Sequence, residues 1–205
     1  MIIAPDGTIL KEAGAGPGSA YASLDPAQLK AGRSRFNTVG VTSCRFADVD
    51  KIMELTALCA RVERYKATGR RIVFTNGCFD ILHEGHVTYL EAARKEGDCL
   101  IVGLNSDASV KRLGKGDDRP INNERSRARV LAALGCVDHI VLFEEDTPIN
   151  LITAIMPDVL VKGGDWTIDK IVGAPEVEAA GGIVKSIPVV ENFSTTATIE
   201  KIKKV

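Results

Sequence analysis

Arg71-Ile72-Val73-Phe74-Thr75-Asn76-Gly77-Cys78-Phe79-Asp80-Ile81-Leu82-His83-Glu84-Gly85-His86 runs from a short apolar segment through a turn into the start of a helix. The segment 71–75 has the length and apolar continuity of a parallel strand buried on both faces, and Asn76-Gly77 supplies turn residues at its end. The pattern then alternates. Helices are predicted at about 85–96, 122–134, 148–155 and 174–180 and from 194, with strands at 99–104, 139–143, 158–162 and 183–187. Strands alternating with helices at this spacing predict a doubly wound α/β fold, a Rossmann-like three-layer sandwich whose parallel sheet is covered on both faces. In such sheets ligands bind beyond the carboxyl ends of the strands, where strand order reverses. The loops after Thr75, Leu104 and Val161 are therefore the places to search.

Upstream, Val49, Ile52, Met53, Leu55, Leu58, Cys59 and Val62 recur at helical spacing, and Gly69 follows as a stop signal. This predicts a leading helix over 47–68 ahead of a core over 71–205, the two forming a domain over 46–205. Residues 1–45 are rich in Gly, Ala, Ser and Pro and read as a poorly structured extension. Their Gly14-Ala15-Gly16-Pro17-Gly18-Ser19 stretch lacks the Lys-Ser/Thr ending and preceding strand of a phosphate loop, and reads as a linker.

The 205 residues suffice for one well-buried domain plus an appendage. With 26 basic and 27 acidic side chains, no global field favours nucleic acid or an anionic membrane, so an anionic ligand needs a local site. Five cysteines, at 44, 59, 78, 99 and 136, form no C-x-x-C pair and fit reduced thiols in the cytoplasm. No apolar run approaches the roughly 18 residues of a membrane span, and the N-terminus has no signal-peptide pattern.

Two of the three histidines fall in the opening stretch. At a helix start, His83 and His86 can face one side, and Gly85 between them would let a phosphate approach the backbone. The helix N-terminus adds unpaired N–H groups and the positive end of the dipole. A zinc site built on Cys78, His83 and His86 is the competing reading, but no fourth ligand is obvious nearby. His139, at the start of a strand, reads as structural.

These residues resemble the H-x-G-H nucleotidyltransferases, and within them the heptose 1-phosphate adenylyltransferases. The resemblance runs from about Ala47 to Val205 through Phe74-Thr75-Asn76-Gly77-Cys78-Phe79-Asp80, Asn105-Ser106-Asp107, Arg119-Pro120, Val161-Lys162-Gly163-Gly164-Asp165 and Ser194-Thr195-Thr196. It implies transfer of AMP from ATP to a heptose 1-phosphate, giving ADP-heptose and pyrophosphate for lipopolysaccharide or related surface glycans. It assigns phosphate contacts to His83 and His86, and to Lys111 or Lys115, Arg119 and Arg127. Of these, His83, His86, Lys115 and Arg127 are the candidate catalytic set. The expected nucleotide-binding set is Thr75, Asn76, Gly77, Cys78, Phe79, Asp80, Gly85, Asn105, Asp107, Lys111, Arg119, Lys162, Gly164, Asp165, Trp166, Ser194, Thr195 and Thr196.

Attack on the α-phosphate builds negative charge on its oxygens and on the departing pyrophosphate, so positioned donors accelerate the reaction without a general base. The nucleophile is a phosphate oxygen already ionised at neutral pH. Mg²⁺ is expected with ATP, bridging polyphosphate oxygens and keeping several waters. Segment 111–129 carries Lys111, Arg112, Lys115, Arg119, Arg125, Arg127 and Arg129 against Asp117, Asp118 and Glu124, either as a solvated face or as a double phosphate site. Trp166 could stack near adenine or cap the core, and Ser194 is at least an N-cap. Relatives often carry a basic residue after Ser-Thr-Thr, whereas Ala197, Thr198 and Ile199 follow here.

In bifunctional relatives a sugar kinase precedes this domain. The stretch before Arg71 is too short for one, so the kinase is expected on a separate protein. A homodimer, small-molecule substrates and no nucleic-acid or membrane partner complete the expectation. The rivals are a cytidylyltransferase for glycerol 3-phosphate or a similar polyol phosphate, and a nucleotide-binding regulator without turnover.

Overall fold

The computed structural model describes residues 2–3, 9–11, 49–114, 116, 118–164, 166–188 and 193–203. Lys115 and Asp165 lie outside them. The chain divides into two units, Met1–Arg45 and Phe46–Val205. In the first, β1 (Ile2–Ile3) pairs antiparallel with β2 (Ile9–Lys11), a feature that the Gly- and Pro-rich composition did not suggest.

The second unit alternates strands and helices. It comprises α1 (Leu55–Ala67), β3 (Ile72–Gly77), α2 (Glu84–Arg94), β4 (Cys99–Asn105), α3 (Asp107–Arg112), α4 (Glu124–Ala132), β5 (His139–Phe143), α5 (Ile149–Ile155), β6 (Val159–Gly163), α6 (Ala174–Ala179), β7 (Ile183–Ile187) and α7 (Thr195–Lys203). The five core strands are parallel in the order β5-β4-β3-β6-β7. The chain moves outward from β3 to β5, then crosses back to lay β6 against the other side of β3. The reversal between β3 and β6 opens a crevice at their carboxyl ends, the expected ligand position.

Successive side chains leave a strand on opposite faces, so each strand supplies two cores. Ile72 and Phe74 join Ile101, Val141 and Leu160 under α1, α5 and α6, through Leu58, Val62, Ile152, Ile155 and Val177. Val73 joins Leu100, Val102, Ile140 and Val161 under α2 and α4, through Leu90, Ala93, Ala128 and Leu131. Fully burying one such side chain contributes about 1.5–3 kcal/mol.

Three local expectations are corrected. The leading helix does not cover 47–68: Val49–Lys51 is a 3-10 turn, and α1 begins only at Leu55. Between them Ile52 bridges Ile140 in parallel, and Met53 N–H donates to the Ile140 carbonyl at 2.9 Å. Strand β5 is a sheet edge, and its unpaired backbone groups outcompete the helical propensity of these residues. Asn76-Gly77 is not a turn but the end of β3, paired in register with Gly103 and Leu104 of the long strand β4. Finally, Asp107–Arg112 is helical, with the Ser106 hydroxyl accepting from Ser109 N–H as its N-cap.

Candidate active site

A cavity of about 550 Å³ opens at the carboxyl ends of β3 and β6, a size suited to a small-molecule ligand. Its floor is tied together by Tyr89 on α2. The Tyr89 hydroxyl lies 2.6 Å from Thr75 Oγ1 on β3 and donates to the Val161 carbonyl on β6 at 3.4 Å. Burial pushes this phenol up to about 12, so it stays protonated at neutral pH and offers no base. Thr75 is itself fully buried, holding the floor rather than lining the cavity.

Beyond β3 the chain passes through Asn76, Gly77, Cys78, Phe79 and Asp80, all of which line the cavity. Phe79 adopts a left-handed φ of 44°, which is strained for a residue with a side chain. Asp80 fixes the far wall. Its buried carboxylate accepts from Arg119 Nε at 2.7 Å and from the N–H groups of Ile121 and Asn122 at 2.9 Å. Its carbonyl accepts from Asn122 Nδ2 at 2.8 Å. Asp80 thus sets the position of Arg119, which reaches the cavity.

The histidines occupy the entry to α2. His83 stands in extended backbone at the N-cap, and its carbonyl accepts from His86 N–H at 2.9 Å. The imidazoles stack at 3.8 Å between centroids, 22° from parallel, and Phe79 meets His86 edge-on at 5.3 Å. His86 lines the cavity, and His83 supports it from the side. Burial holds the His83 imidazole below its ordinary value, and its buried Nδ1 has no hydrogen-bond partner among the described residues. The side-chain face of Gly85 is filled by protein atoms. A side chain there would meet Phe193 Cβ at 2.9 Å and His83 Nδ1 at 3.2 Å, so glycine is required for the approach of protein atoms.

On the β6 side, Lys162 Nζ donates to Asn76 Oδ1 at 3.2 Å across the cavity wall. Gly164 takes a φ of 113°, which glycine allows, and the chain turns so that Trp166 folds beside it. Trp166 is 49% exposed, so it does not cap the core. It forms part of the cavity wall and of a smaller apolar recess with Leu160, Ile171 and Val172. Thr195 and Thr196, at the start of α7, close the remaining side. Ser194 acts as the cap, its hydroxyl accepting from Ala197 N–H at 3.3 Å, and Thr195 Oγ1 donates to the Ile81 carbonyl at 3.3 Å.

The basic segment divides differently from expectation. Of its described residues only Arg119 lines the cavity. Arg127 is 2% exposed: Nε donates to the Asn122 carbonyl at 3.0 Å, one terminal nitrogen to the Cys78 carbonyl at 2.6 Å, and the other to Asp107 Oδ1 at 2.8 Å. It braces the Cys78 turn instead of facing a ligand. Asp107 belongs to that brace, and Asn105 Nδ2 donates to Ser109 Oγ, so neither lines the cavity. Lys111 is exposed on α3 away from the lining, and Arg112 pairs with Asp146. The burial of Arg127 had a signal: it shares the inward face of α4 with Ala128 and Leu131. Tyr89 and Phe193, to which the sequence gave no role, belong to the site or its walls.

His139 is structural. Its Nε2 lies 3.1 Å from the Tyr65 hydroxyl, the rings stack, and burial lowers its pKa to about 4. Among the described residues no three His, Cys, Asp or Glu side chains are arranged to hold a metal ion, and no helix is long and apolar enough to cross a membrane.

A family profile described as cytidylyltransferase-like matches residues 74–202. The bifunctional protein HldE of Methylobacillus flagellatus is 57% identical over 156 residues, covering 76% of this chain and 32% of that protein. HldE of Geobacter sulfurreducens is 54% identical over 154 residues, covering 75% and 31%. The chain thus spans about a third of the length of the curated relatives it matches. Among solved structures, the lipopolysaccharide core biosynthesis protein from Thermoplasma volcanium is 30% identical with a TM-score of 0.50, covering 61% of this chain and all of that one. Pantothenate synthetase from Thermus thermophilus shares the fold at 16% identity and a TM-score of 0.51, covering 75% of this chain and 70% of that one.

Proposed function

The chain belongs to the cytidylyltransferase-like family, and on that premise we propose that it transfers AMP from ATP to a heptose 1-phosphate, releasing pyrophosphate and forming ADP-heptose. The observation that carries this reading is the donor set of the cavity. His86, Arg119 and Lys162 come from three separate elements, while the one described carboxylate in the lining, Asp80, is taken up by Arg119 and two backbone N–H groups. A site rich in donors, with its one described carboxylate already engaged, suits a nucleophile that is already an anion. An oxygen of the sugar phosphate forms a bond to the α-phosphorus as the bond from that phosphorus to the pyrophosphate oxygen breaks, and no proton need move. MgATP is the proposed substrate form, with the triphosphate and water completing the ion's shell. His83, His86, Arg119, Lys162, Thr195 and Thr196 are the proposed phosphate contacts. Lys115 and Asp165 stay in the proposal on resemblance alone, and Arg127 and Asp107 are reassigned to the frame.

The heptose rests on the resemblance of the sequence motifs and on the similarity to HldE. The test is pyrophosphate release with ATP and CTP, each crossed against heptose 1-phosphate, glycerol 3-phosphate and unphosphorylated heptose. Turnover is expected with ATP and heptose 1-phosphate, and the free sugar should be inert because it lacks both the anionic oxygen that serves as nucleophile and the phosphate that the cavity's donors would hold. Turnover with CTP and glycerol 3-phosphate alone would transfer the chain to a cytidylyltransferase. Release with no pair would leave a nucleotide-binding protein.

A further inference from the structure

The aromatic contact at the entry to α2 does not end with the histidines. Phe193, just ahead of α7, stacks on His83 at 5.9 Å between centroids and 23° from parallel. With the His83–His86 stack and the edge-on Phe79, four rings form one continuous column, with a phenylalanine at each end. The column closes only because position 85 is glycine, whose missing side chain leaves the room that Phe193 Cβ occupies. Two and three residues later Thr195 and Thr196 line the cavity, and Thr195 is anchored to the Ile81 carbonyl. The stretch 193–196 therefore touches the histidine pair from outside and the cavity from within.

We propose that Phe193 is a positioning residue for nucleotidyl transfer, clamping the His83–His86 pair against Phe79 and coupling its orientation to the threonines of α7. This rests on the function proposed above. An exposed imidazole rotates freely about its side-chain bonds, and donors stabilise a transition state best when they need no reorganisation. Phe79 restricts the pair at the His86 end, and Phe193 does so at the His83 end. Phe193 also helps to exclude water from His83, in keeping with the lowered pKa of that ring.

A double-mutant cycle on turnover tests the coupling. Phe193→Ala is expected to lower kcat about three- to tenfold, the scale of one aromatic pair, with a smaller change in KM for MgATP. Phe193→Tyr, which keeps the stack, should retain most of the turnover. In a His83→Ala background the same Phe193→Ala change should cost less than about twofold, because the ring through which it acts is gone. Losses that multiply independently, or a loss confined to KM, would reduce Phe193 to an anchor for α7 and overturn the proposal. The nucleotide-free protein gives a readout that does not depend on turnover: NMR of the His83 ring protons should show the loss of the Phe193 ring current in Phe193→Ala, and unchanged resonances overturn the contact. His83 resonances that shift in Phe193→Ala, together with a wild-type protein that releases no pyrophosphate with any substrate pair, would sink the function and leave only the stacking.

Discussion

The two ends of the parallel sheet use similar residues to opposite effect. At the amino ends, Asp98, Asp138 and Asp158 stand one position before β4, β5 and β6. Their carboxylates accept from Arg71 N–H at 2.9 Å, Leu100 N–H at 2.8 Å and Ile72 N–H at 2.7 Å, each closing a backbone donor at the neighbouring strand's start. His139 is held there by Tyr65. At the carboxyl ends, His86, Lys162 and Arg119 line the cavity. The first arrangement satisfies polar groups within the fold, while the second leaves donors on the wall of a cavity. Neither residue type nor having a partner separates them, since Asp80 already holds Arg119 Nε and Asn76 accepts from Lys162; what differs is whether the side chain also lines the cavity.

Arg127 gives the sharpest test, because it lies at the open end yet is satisfied like the closed one. Arg127→Ala should destabilise the fold by about 3–5 kcal/mol in denaturant unfolding, since it leaves buried acceptors and Asp107 uncompensated. Arg127→Lys should not restore it, because one ammonium cannot reproduce a planar fork with three acceptors. A variant as stable as the wild type, but with a raised KM for ATP, would break the comparison and return Arg127 to the phosphate site.

His86→Ala should do the reverse. Turnover is expected to fall about a hundredfold, the scale of one lost transition-state donor, with unfolding shifted by less than about 1 kcal/mol. Near-normal turnover in a folded variant would remove the open end from the mechanism.

The third test is smaller and belongs to the closed end. His139 has a folded pKa near 4 against an ordinary value of 6.5, so the unfolded chain binds its proton first. Stability from this group is full above about pH 6.5 and is lost as pH falls toward 4, by roughly 2 kcal/mol at pH 5. His139→Gln should flatten that part of the unfolding profile. Equal slopes in the two proteins would mean that the ring is not held neutral.

The alternation of apolar strands with amphipathic helices was legible because burial on a sheet face or helix stripe imposes a period on the sequence. The H-x-G-H loop and the Lys162-Gly163-Gly164 stretch were legible for the same reason, since the fold places the ends of β3 and β6 and whatever follows them at the crevice. Residues 52–53 misled because the free edge of β5, which they pair with, is assembled from residues far along the chain. Phe193 gave no signal, since its contact depends on the absence of a side chain at Gly85, more than a hundred positions earlier.

By itself, then, the sequence determined the layered fold, the end of the sheet that carries the cavity, and the histidine pair, all of which follow from local order and periodicity. Only the tertiary structure decided which charges line the cavity. An arginine's role depends on whether oxygens from distant segments already fill its donors, as Cys78, Asp107 and Asn122 fill those of Arg127, and that pairing is a property of three-dimensional packing.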